Sequence, residues 1–404
     1  MTFNQNFVDI LFPALREITE NGRFADRVIE NVLRTYKRWS DEERSFFAET
    51  TYEIVRHWRL LWAMLGRETA VYDERTLWKL LAAYLVLKGE KLSRRPEFKE
   101  VNLETMHRKL DAAMEKRSIR ESIPEWLDEV AESELGEKRW EPVLHALNEQ
   151  PHVVLRANLL KTTKEKLQKE LLKEEIRTVP VKLASDALVL PERANVFRTT
   201  AFKNGLFEVQ DAGSQTIAPF LKVEPGMRVV DACAGSGGKT LHLAALMQNK
   251  GRIIAMDTFE RKLEDLRKRA SRAGADIIET RAITSTKAIK RLSGQADRLL
   301  LDVPCSGLGV LKRNPDTKWK LQPEDINKVR KIQAEILASY PNMVKPGGLM
   351  VYATCSVLPS ESEEQVRNFL KNNSSNWEML EEKRLWPDTD GFDGFYMALL
   401  KRKA

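Results

Sequence analysis

Residues 229–240 read VVDACAGSGGKT, an apolar strand followed by a glycine-rich turn and the start of a helix. Such a turn lets backbone N–H groups face a ligand at the helix N-terminus. A phosphate loop of the G-x-x-x-x-G-K-[ST] type would need glycine where the chain has Cys233, and a dinucleotide loop counted from Gly235 would need glycine at Thr240. What remains is D-x-C-x-G-x-G, close to the loop associated with S-adenosylmethionine.

Two acidic residues around this loop favour a nucleoside ligand. Asp231 ends the strand before the glycines, and Asp257 ends the next strand, GRIIAMD (251–257). A carboxylate at the end of the second strand can accept both ribose hydroxyls, and an acidic strand end beside glycines suits the amino-acid part of S-adenosylmethionine. Either residue alone could be a helix N-cap, but together they favour a nucleoside cofactor.

The chain outward from this loop alternates apolar strands with helices, which predicts a parallel, doubly wound, Rossmann-like α/β domain over residues 207–404. The tail WPDTDGFDGFYMALLKRK (386–403) runs from a glycine-rich turn directly into a strand, and this predicts a final antiparallel strand. A strand, a capped helix and two short strands predict a small α+β module over residues 146–206.

Residues 1–145 carry apolar residues at helical spacing without strand-like alternation, so an all-α first domain is expected. Ser40 with Glu43 three positions later forms a capping-box pattern that predicts a helix start. The chain is thus predicted to be multidomain: helical, then α+β, then α/β.

Composition narrows the classes of function. The 404 residues are 42% hydrophobic and contain no long apolar run, and the N-terminus lacks a secretory pattern, so a soluble cytoplasmic protein is expected. Three cysteines without a CxxC pair predict neither a disulfide framework nor a metal site. Of the net charge of +7, residues 1–150 contribute −4 and residues 151–404 contribute +11, which favours a polyanionic partner such as RNA.

Two of the cysteines follow apolar strands. Cys305 comes after LLLDVP and Cys355 after MVYAT, and ligands of open α/β sheets bind beyond the carboxyl ends of strands. Both thiols should therefore face one crevice, although a buried structural cysteine is the usual alternative and is kept for Cys233. A thiolate near a methyl donor suggests addition to carbon 6 of a pyrimidine, which makes carbon 5 nucleophilic. Asp302 would hydrogen-bond the N3/N4 edge of cytosine.

These stretches resemble the RsmB/Nop2/Sun family of RNA (cytosine-5) methyltransferases. The matching segments are FEVQDAGSQ (207–215), DACAGSGGKT (231–240), LLLDVPCSGLGVLKRNPDTKW (299–319), PGGLMVYATCSVLPSESEEQV (346–366) and GFYMALLK (394–401). The first domain resembles more weakly the NusB-like RNA-binding domain found in this family. The resemblance implies a cytosine-5 methyltransferase of RNA, with small-subunit ribosomal RNA as the expected substrate and S-adenosylmethionine as the cofactor.

The resemblance also implies roles for individual residues. Cys355 would be the nucleophile and Cys305 would aid release of the product. The cofactor site would be lined by Cys233, Ala234, Gly235, Ser236, Gly237, Gly238, Lys239, Asp257 and Asp302. The family's acidic contact to the adenine has no counterpart near Ala282, so either Glu279 or a backbone group replaces it or the cofactor binds more weakly, and the contact is left unassigned.

Three basic residues are candidates for binding RNA. Lys239 would either position the substrate base or phosphate, or begin a helix with its side chain in solvent. Arg313 and Lys318 follow Cys305 in a segment expected to border the crevice, where they would contact phosphates.

Two other interpretations remain open. One is the same chemistry on transfer RNA or another RNA, and the other is a catalytically idle RNA-binding or assembly factor on a methyltransferase scaffold. An amino-group methyltransferase would carry D/N-P-P-[YF] where this chain has DVPC. A monomer without a bound metal is expected.

Overall fold

The computed structural model describes Phe3 and residues 5–404, and it divides into two compact units. One unit, here called the helical unit, comprises the described residues up to Glu149 together with Leu311–Pro323. The other, called the sheet unit, comprises Gln150–Val310 and Glu324–Ala404. No helix in the described part of the chain combines the length and the apolar character that crossing a bilayer requires.

The α-helices are α1 Gln5–Thr19, α2 Ala25–Thr35, α3 Asp41–Arg56, α4 Trp58–Met64, α5 Glu74–Leu87, α6 Leu103–Met114, α7 Arg117–Arg120, α8 Glu125–Leu135, α9 Glu137–Leu147, α10 Lys164–Lys173, α11 Thr200–Lys203, α12 Ala212–Gln215, α13 Ile217–Phe220, α14 Gly238–Leu246, α15 Glu260–Ala273, α16 Thr286–Lys290, α17 Thr317–Lys320, α18 Pro323–Ser339 and α19 Glu363–Asn373. The strands are β1 Val154–Ala157, β2 Val179–Pro180, β3 Ala187–Val189, β4 Phe207–Val209, β5 Arg228–Asp231, β6 Arg252–Asp257, β7 Ile278–Ala282, β8 Ala296–Asp302, β9 Val344–Thr354, β10 Trp377–Leu385 and β11 Phe395–Arg402.

The helical unit packs α1 to α9, and the prediction of an all-α first domain is confirmed for the described residues. Helix α3 begins as expected, because the Ser40 side chain accepts from the Glu43 N–H while the Glu43 carboxylate accepts from the Ser40 N–H. The helix ends at Arg56. The apolar residues that follow form a separate helix, α4, which begins at Trp58.

The segment Leu311–Pro323 follows the Cys305 region in sequence but belongs to the helical unit. Three of its long-range hydrogen bonds reach α2 and α3. Arg56 donates to the Lys312 carbonyl at 2.8 Å, and the Trp319 indole donates to the Val55 carbonyl at 2.7 Å. The Asp316 carboxylate accepts from the Ala25 N–H at 3.0 Å. These bonds fix the segment to α2 and α3.

Lys318, expected to contact RNA phosphate, is instead part of this packing. Its side chain is 1% exposed, and its ammonium donates to the Asn148 side chain at 2.9 Å. Burial, with the nearby Arg56 guanidinium, holds the pKa of Lys318 well below its ordinary value. The sequence-based expectation for Lys318 is corrected accordingly, since a phosphate has no access to a buried amine.

The sheet unit contains a small antiparallel sheet in the order β2-β3-β1-β4. Helix α10 covers it, and Thr163 caps the helix by accepting from the Lys166 N–H. Strand β4 pairs with β1 through Leu155↔Val209 and Ala157↔Phe207. The module's sheet therefore extends past residue 206, because β4 completes its edge.

The large sheet has the order β10-β11-β9-β8-β5-β6-β7. Strands β9, β8, β5, β6 and β7 are parallel, whereas β11 and β10 are antiparallel additions, so the predicted doubly wound sheet with a final antiparallel strand is confirmed. The apolar pattern did not single out β7, whose sequence IETRA has no fully buried residue because it forms the edge. Parallel pairing brings the carboxyl ends of β5, β6, β8 and β9 to one side.

Asp316 provides a test of how the inserted segment stabilises the helical unit. Helix α2 has no side-chain cap of its own at Phe24, and Asp316 supplies both an acceptor and a negative charge at its N-terminus. We expect Asp316→Ala to lower the free energy of unfolding by about 1–2 kcal/mol. Denaturant unfolding followed by tryptophan fluorescence measures this.

Glu30→Ala is the matched control, because Glu30 lies exposed on the same helix. An equal loss of stability in both variants would contradict a capping role for Asp316.

Candidate active site

The glycine loop between β5 and α14 adopts a conformation that glycine alone accommodates. Gly237 has φ +85°, and a Cβ there would lie 2.5 Å from Cγ of Leu266 on α15. Gly235 has φ +54°. The loop therefore turns sharply and leaves the N-terminus of α14 open on its outer side.

Charged residues of the small module's sheet and of α15 hold this loop. Arg269 on α15 donates to the Ser236 carbonyl at 2.7 Å and to Glu208 at 2.9 Å. Arg156 on β1 donates to the Gly238 carbonyl at 2.6 Å. Glu208 on β4 is 4% exposed and also binds Arg272 at 2.5 Å. The module thus supports the loop directly, which sequence patterns alone did not indicate.

A cavity of about 320 Å³ lies against the glycine loop. It is lined by Val209, Gln210, Ser214, Asp231, Cys233, Ala234, Gly235, Ser236, Gly238, Lys239, Arg269 and Asp302. Most of the predicted cofactor residues therefore line one space. Gly237 and Asp257 are not among its lining residues.

Asp231 is the most unusual group in this cavity. Its Oδ2 accepts from the Thr240 hydroxyl at 2.7 Å, but its Oδ1 is buried and has no hydrogen-bond partner. Burial raises the pKa of Asp231 to about 7, and the neighbouring Asp302 adds to the increase. An unpaired buried carboxylate oxygen beside a glycine loop suits a ligand that carries a cationic amino group.

Asp257 ends β6 and is 8% exposed. Its two oxygens accept from the Gly235 N–H and the Phe259 N–H, each at 2.9 Å. These bonds join the glycine loop to the start of α15. Each oxygen retains acceptor capacity for a ribose hydroxyl, because a carboxylate offers about four lone-pair sites.

Lys239 is turned inward, so the alternative of a solvent-facing lysine is wrong. Its ammonium donates to Oδ2 of Asp302 at 2.5 Å, and its side chain is 14% exposed. Burial lowers the pKa of Lys239, but the charge and hydrogen bond of Asp302 outweigh it, so the net pKa lies above its ordinary value. Lys239, on α14, therefore stays charged beside Asp302 at the end of β8.

The two strand-end cysteines meet. The Sγ atoms of Cys305 and Cys355 are 3.3 Å apart, and both side chains are half-buried. Strands β8 and β9 pair in parallel with Asp302 opposite Ala353, which puts the two cysteines just beyond matching positions. The Gly309 N–H donates to the Cys355 carbonyl at 2.8 Å, and a Cβ on Gly309 would lie 2.8 Å from that oxygen.

The pair differs electrostatically from an isolated thiol. The hydrogen bond to Cys355, followed by burial, raises the pKa of the Cys305 thiol well above its ordinary value. Cys305 therefore keeps its proton at neutral pH, beside the sulfur of Cys355. Burial also raises the pKa of Cys233, which keeps that loop thiol protonated.

Two other candidates, Arg313 and Glu279, have the following surroundings. Arg313 belongs, like Lys318, to the helical unit, where it is half-buried. Glu279 accepts from Arg252 at 3.0 Å and from Arg281 at 2.6 Å, and it does not line the cavity, so its contact with the adenine stays a prediction.

Three polar residues that line the cavity, Gln210, Ser214 and Arg269, had no role assigned from the sequence. Gln210 and Ser214 lie within FEVQDAGSQ, which the family resemblance singled out, and they hydrogen-bond each other at 3.0 Å. Arg269 lies on α15, whose sequence shows only an amphipathic, strongly charged helix. The quoted motif could have indicated the first two, but nothing local marks Arg269.

Comparison with known proteins gives a consistent result. The family "16S rRNA methyltransferase RsmB/F" matches residues 218–401, and the "Methyltr_RsmF/B-like, ferredoxin-like domain" matches residues 123–197. The "Probable ribosomal RNA small subunit methyltransferase B" of Synechocystis sp. is 30% identical, with 90% of this chain and 89% of that protein covered.

Solved structures agree in fold. The crystal structure of PH0851 has a TM-score of 0.83 at 24% identity and covers 100% of both chains. A methyltransferase homolog protein from Pyrococcus horikoshii has a TM-score of 0.63 at 28% identity and covers 71% of this chain and 97% of its own. Together with the motifs and the cavity described above, the matching family model and the Synechocystis relative establish that the chain belongs to the RsmB/F family of S-adenosylmethionine-dependent methyltransferases.

Proposed function

We propose that this protein methylates carbon 5 of a cytosine in small-subunit ribosomal RNA through a covalent bond to Cys355. The observation that carries the proposal is the 3.3 Å separation of two sulfurs just beyond Asp302, a residue that also lines the cofactor cavity. Family membership supports RNA methyl transfer, and the sulfur pair is what points to carbon 5.

Bound S-adenosylmethionine supplies an electrophilic methyl group. The glycine loop would hold this cofactor. Asp231 would bind its ammonium group, and Asp257 would bind its ribose. The fit rests on the unpaired buried Oδ1 of Asp231, because a cationic donor there satisfies an otherwise costly buried oxygen.

In the proposed reaction the sulfur of Cys355 attacks after its proton has passed to solvent. This sulfur forms a bond to carbon 6 of the cytosine, and the electron pair of the C5–C6 double bond becomes available at carbon 5. The Cys305 thiol donates a hydrogen bond to the attacking sulfur and holds it at the end of β9. The target base must be unstacked for this attack, since the ring faces are covered within a helix.

Cys305 acts in the second half of the reaction. Once Cys355 is bonded to carbon, it no longer carries the charge that raises the pKa of Cys305, so the second thiol loses its proton to solvent more readily. The Cys305 thiolate then removes the proton from carbon 5. Those electrons restore the C5–C6 double bond, and the Cys355–C6 bond breaks to release the thiolate.

Asp302 and Lys239 would orient the base. The Asp302 carboxylate can accept from the cytosine amino group, while the Lys239 ammonium that it holds can face a base oxygen or a phosphate. This pair lies at the edge of the cavity that the cofactor would occupy.

The choice of substrate rests on three observations. Matched relatives carry the name of ribosomal RNA small subunit methyltransferases, and a ferredoxin-like domain described for such proteins matches residues 123–197. Residues 151–404 carry an excess of 11 positive charges, which suits a polyanion. We accordingly expect a monomer acting in the cytoplasm on ribosomal RNA.

Cysteine substitutions test the chemistry. With tritiated S-adenosylmethionine and small-subunit ribosomal RNA, we expect Cys355→Ala to abolish methyl transfer because no bond to carbon 6 forms. Cys305→Ala should accumulate a protein–RNA adduct that survives a denaturing gel, because the carbon-5 proton stays in place. Gel shift after denaturation and methyl counting measure the two outcomes.

Glu364→Ala, at an exposed position of α19, is the control and should transfer methyl groups like the wild type. Methylation by Cys355→Ala would overturn the assignment of the nucleophile. Wild-type transfer to transfer RNA but not to ribosomal RNA would favour the alternative substrate, and no transfer to any RNA would favour an RNA-binding scaffold.

Asp231 makes cofactor affinity depend on pH. Its pKa of about 7 in the free protein means that it is largely protonated at pH 6, whereas a bound ammonium favours the carboxylate. Affinity for S-adenosylmethionine should therefore rise as pH increases through 7, by about tenfold between pH 6 and pH 8. Isothermal titration calorimetry at both pH values measures the change.

Asp231→Asn cannot ionise and serves as the matched variant. This variant should bind S-adenosylmethionine more weakly than the wild type at pH 8, and its affinity should not change with pH. A wild-type affinity equal at pH 6 and pH 8 would rule out an Asp231–ammonium contact.

A further inference from the structure

Glu361 lies fully buried beneath the two cysteines, with 0% of its surface exposed. Its Oε1 accepts from the Ser306 hydroxyl at 2.6 Å and from the Ser356 hydroxyl at 2.7 Å. Its Oε2 accepts from the Ser306 N–H at 2.8 Å and from the Gln333 amide at 3.1 Å. Four donors thus fill about four lone-pair sites of one carboxylate.

The donors are informative because of their places in the chain. Ser306 directly follows Cys305, and Ser356 directly follows Cys355. The two serine hydroxyls are also 3.1 Å apart. A single carboxylate is therefore hydrogen-bonded to the residue after each cysteine.

We propose that Glu361 is a positioning residue that holds the loops of Cys305 and Cys355 together and so sets the distance between their sulfur atoms. The catalytic consequence rests on the cytosine-5 transfer proposed above, whereas the geometric role does not depend on it. Glu361 touches neither the reacting atoms nor the cofactor cavity.

The anchoring of Glu361 itself supports this role. The Tyr352 hydroxyl on β9 donates to the Glu361 carbonyl at 2.7 Å. Gln333 on α18 donates to the Pro304 carbonyl at 2.9 Å as well as to Glu361, and Pro304 immediately precedes Cys305. The carboxylate is thus fixed from β9 and α18, and functional groups are held accurately when their supporting residues are themselves fixed.

A packing role alone would not require a carboxylate. Burying a charged group is costly unless hydrogen bonds satisfy it, and an apolar side chain would fill the same space without that cost. The donors here come from the loops that carry the reactive sulfurs. Holding those two loops together therefore explains why a charged Glu361 carboxylate is buried here.

Electrostatics give Glu361 a second effect. The pKa of Cys305 is raised mainly by its hydrogen bond to Cys355, then by burial and by the charge of Cys355. The charge of Glu361 raises it further by a smaller amount. Glu361 therefore favours the proton on Cys305 and helps keep that thiol as the donor to its neighbour.

Disulfide capture measures the sulfur distance without any methyl transfer. Diamide takes two electrons and two protons from a pair of thiols, which become a disulfide while diamide becomes a hydrazine. Sulfurs 3.3 Å apart should form Cys305–Cys355 rapidly in the wild type, as peptide mass spectrometry will report. Glu361→Ala frees both loops and should lower the yield at a fixed time about tenfold.

The Glu361→Gln variant distinguishes the positioning role of residue 361 from the effect of its negative charge. Its amide nitrogen can replace Oε1, because the two serine hydroxyls can turn to accept, and its oxygen can still accept from the Ser306 N–H. We expect wild-type disulfide yield from this variant. Alkylation of Cys305 by iodoacetamide should shift to lower pH, because the negative charge is gone.

Methyl transfer provides the catalytic readout. We expect Glu361→Ala to lower kcat about 100-fold while KM for RNA changes less than about twofold. Glu364→Ala, an exposed residue three positions later, is the control and should match the wild type in every assay. If Glu361→Ala does not fold, Ser306→Ala combined with Ser356→Ala tests the same contacts and should also lower the disulfide yield.

The outcomes separate this inference from the proposed function. A wild-type protein that forms no disulfide, or a Glu361→Ala variant with unchanged disulfide yield and kcat, overturns the positioning role. Loss of disulfide in Glu361→Ala alongside a wild type that methylates no RNA supports the positioning role and overturns the proposed reaction instead.

Discussion

Parallel pairing of β8 with β9 is the constraint on which the rest of the site depends. Asp302 lies opposite Ala353 in this pair, so the loops that follow the two strands leave the sheet side by side. Two cysteines 50 residues apart in sequence consequently come within 3.3 Å. The same edge carries the glycine loop after β5, so the cavity for a cofactor and the reactive sulfurs share one side of the sheet.

Three acidic residues around this edge differ in their hydrogen-bond partners, and the partners explain the different roles proposed for them. Asp231 has one oxygen without a partner, which suits an incoming ligand. Asp302 is paired with Lys239 and remains accessible enough to meet a base. Glu361 has four protein donors, so it has no capacity left for a ligand and is suited to holding structure. The number of unused acceptor sites thus separates a binding carboxylate from a supporting one.

Much of the architecture was predictable because local patterns specify it. Helical periodicity indicated the first domain, the Ser40–Glu43 box marked the start of α3, and alternating apolar strands indicated the parallel sheet. The family and the cofactor were correctly identified from contiguous motifs. The edge strand β7 was less evident, since a half-buried strand carries little apolar signal.

The sequence by itself determined the class of the fold, the glycine loop and the two strand-end cysteines, because each depends on residues that are close in the chain. Only the tertiary structure decided that Lys239 turns inward to Asp302, that Lys318 is buried in the helical unit, and that Glu361 joins the loops after both cysteines. The physical reason is that burial and hydrogen-bond partnership arise between distant segments. A lysine or glutamate has the same local pattern whether it faces solvent or is enclosed.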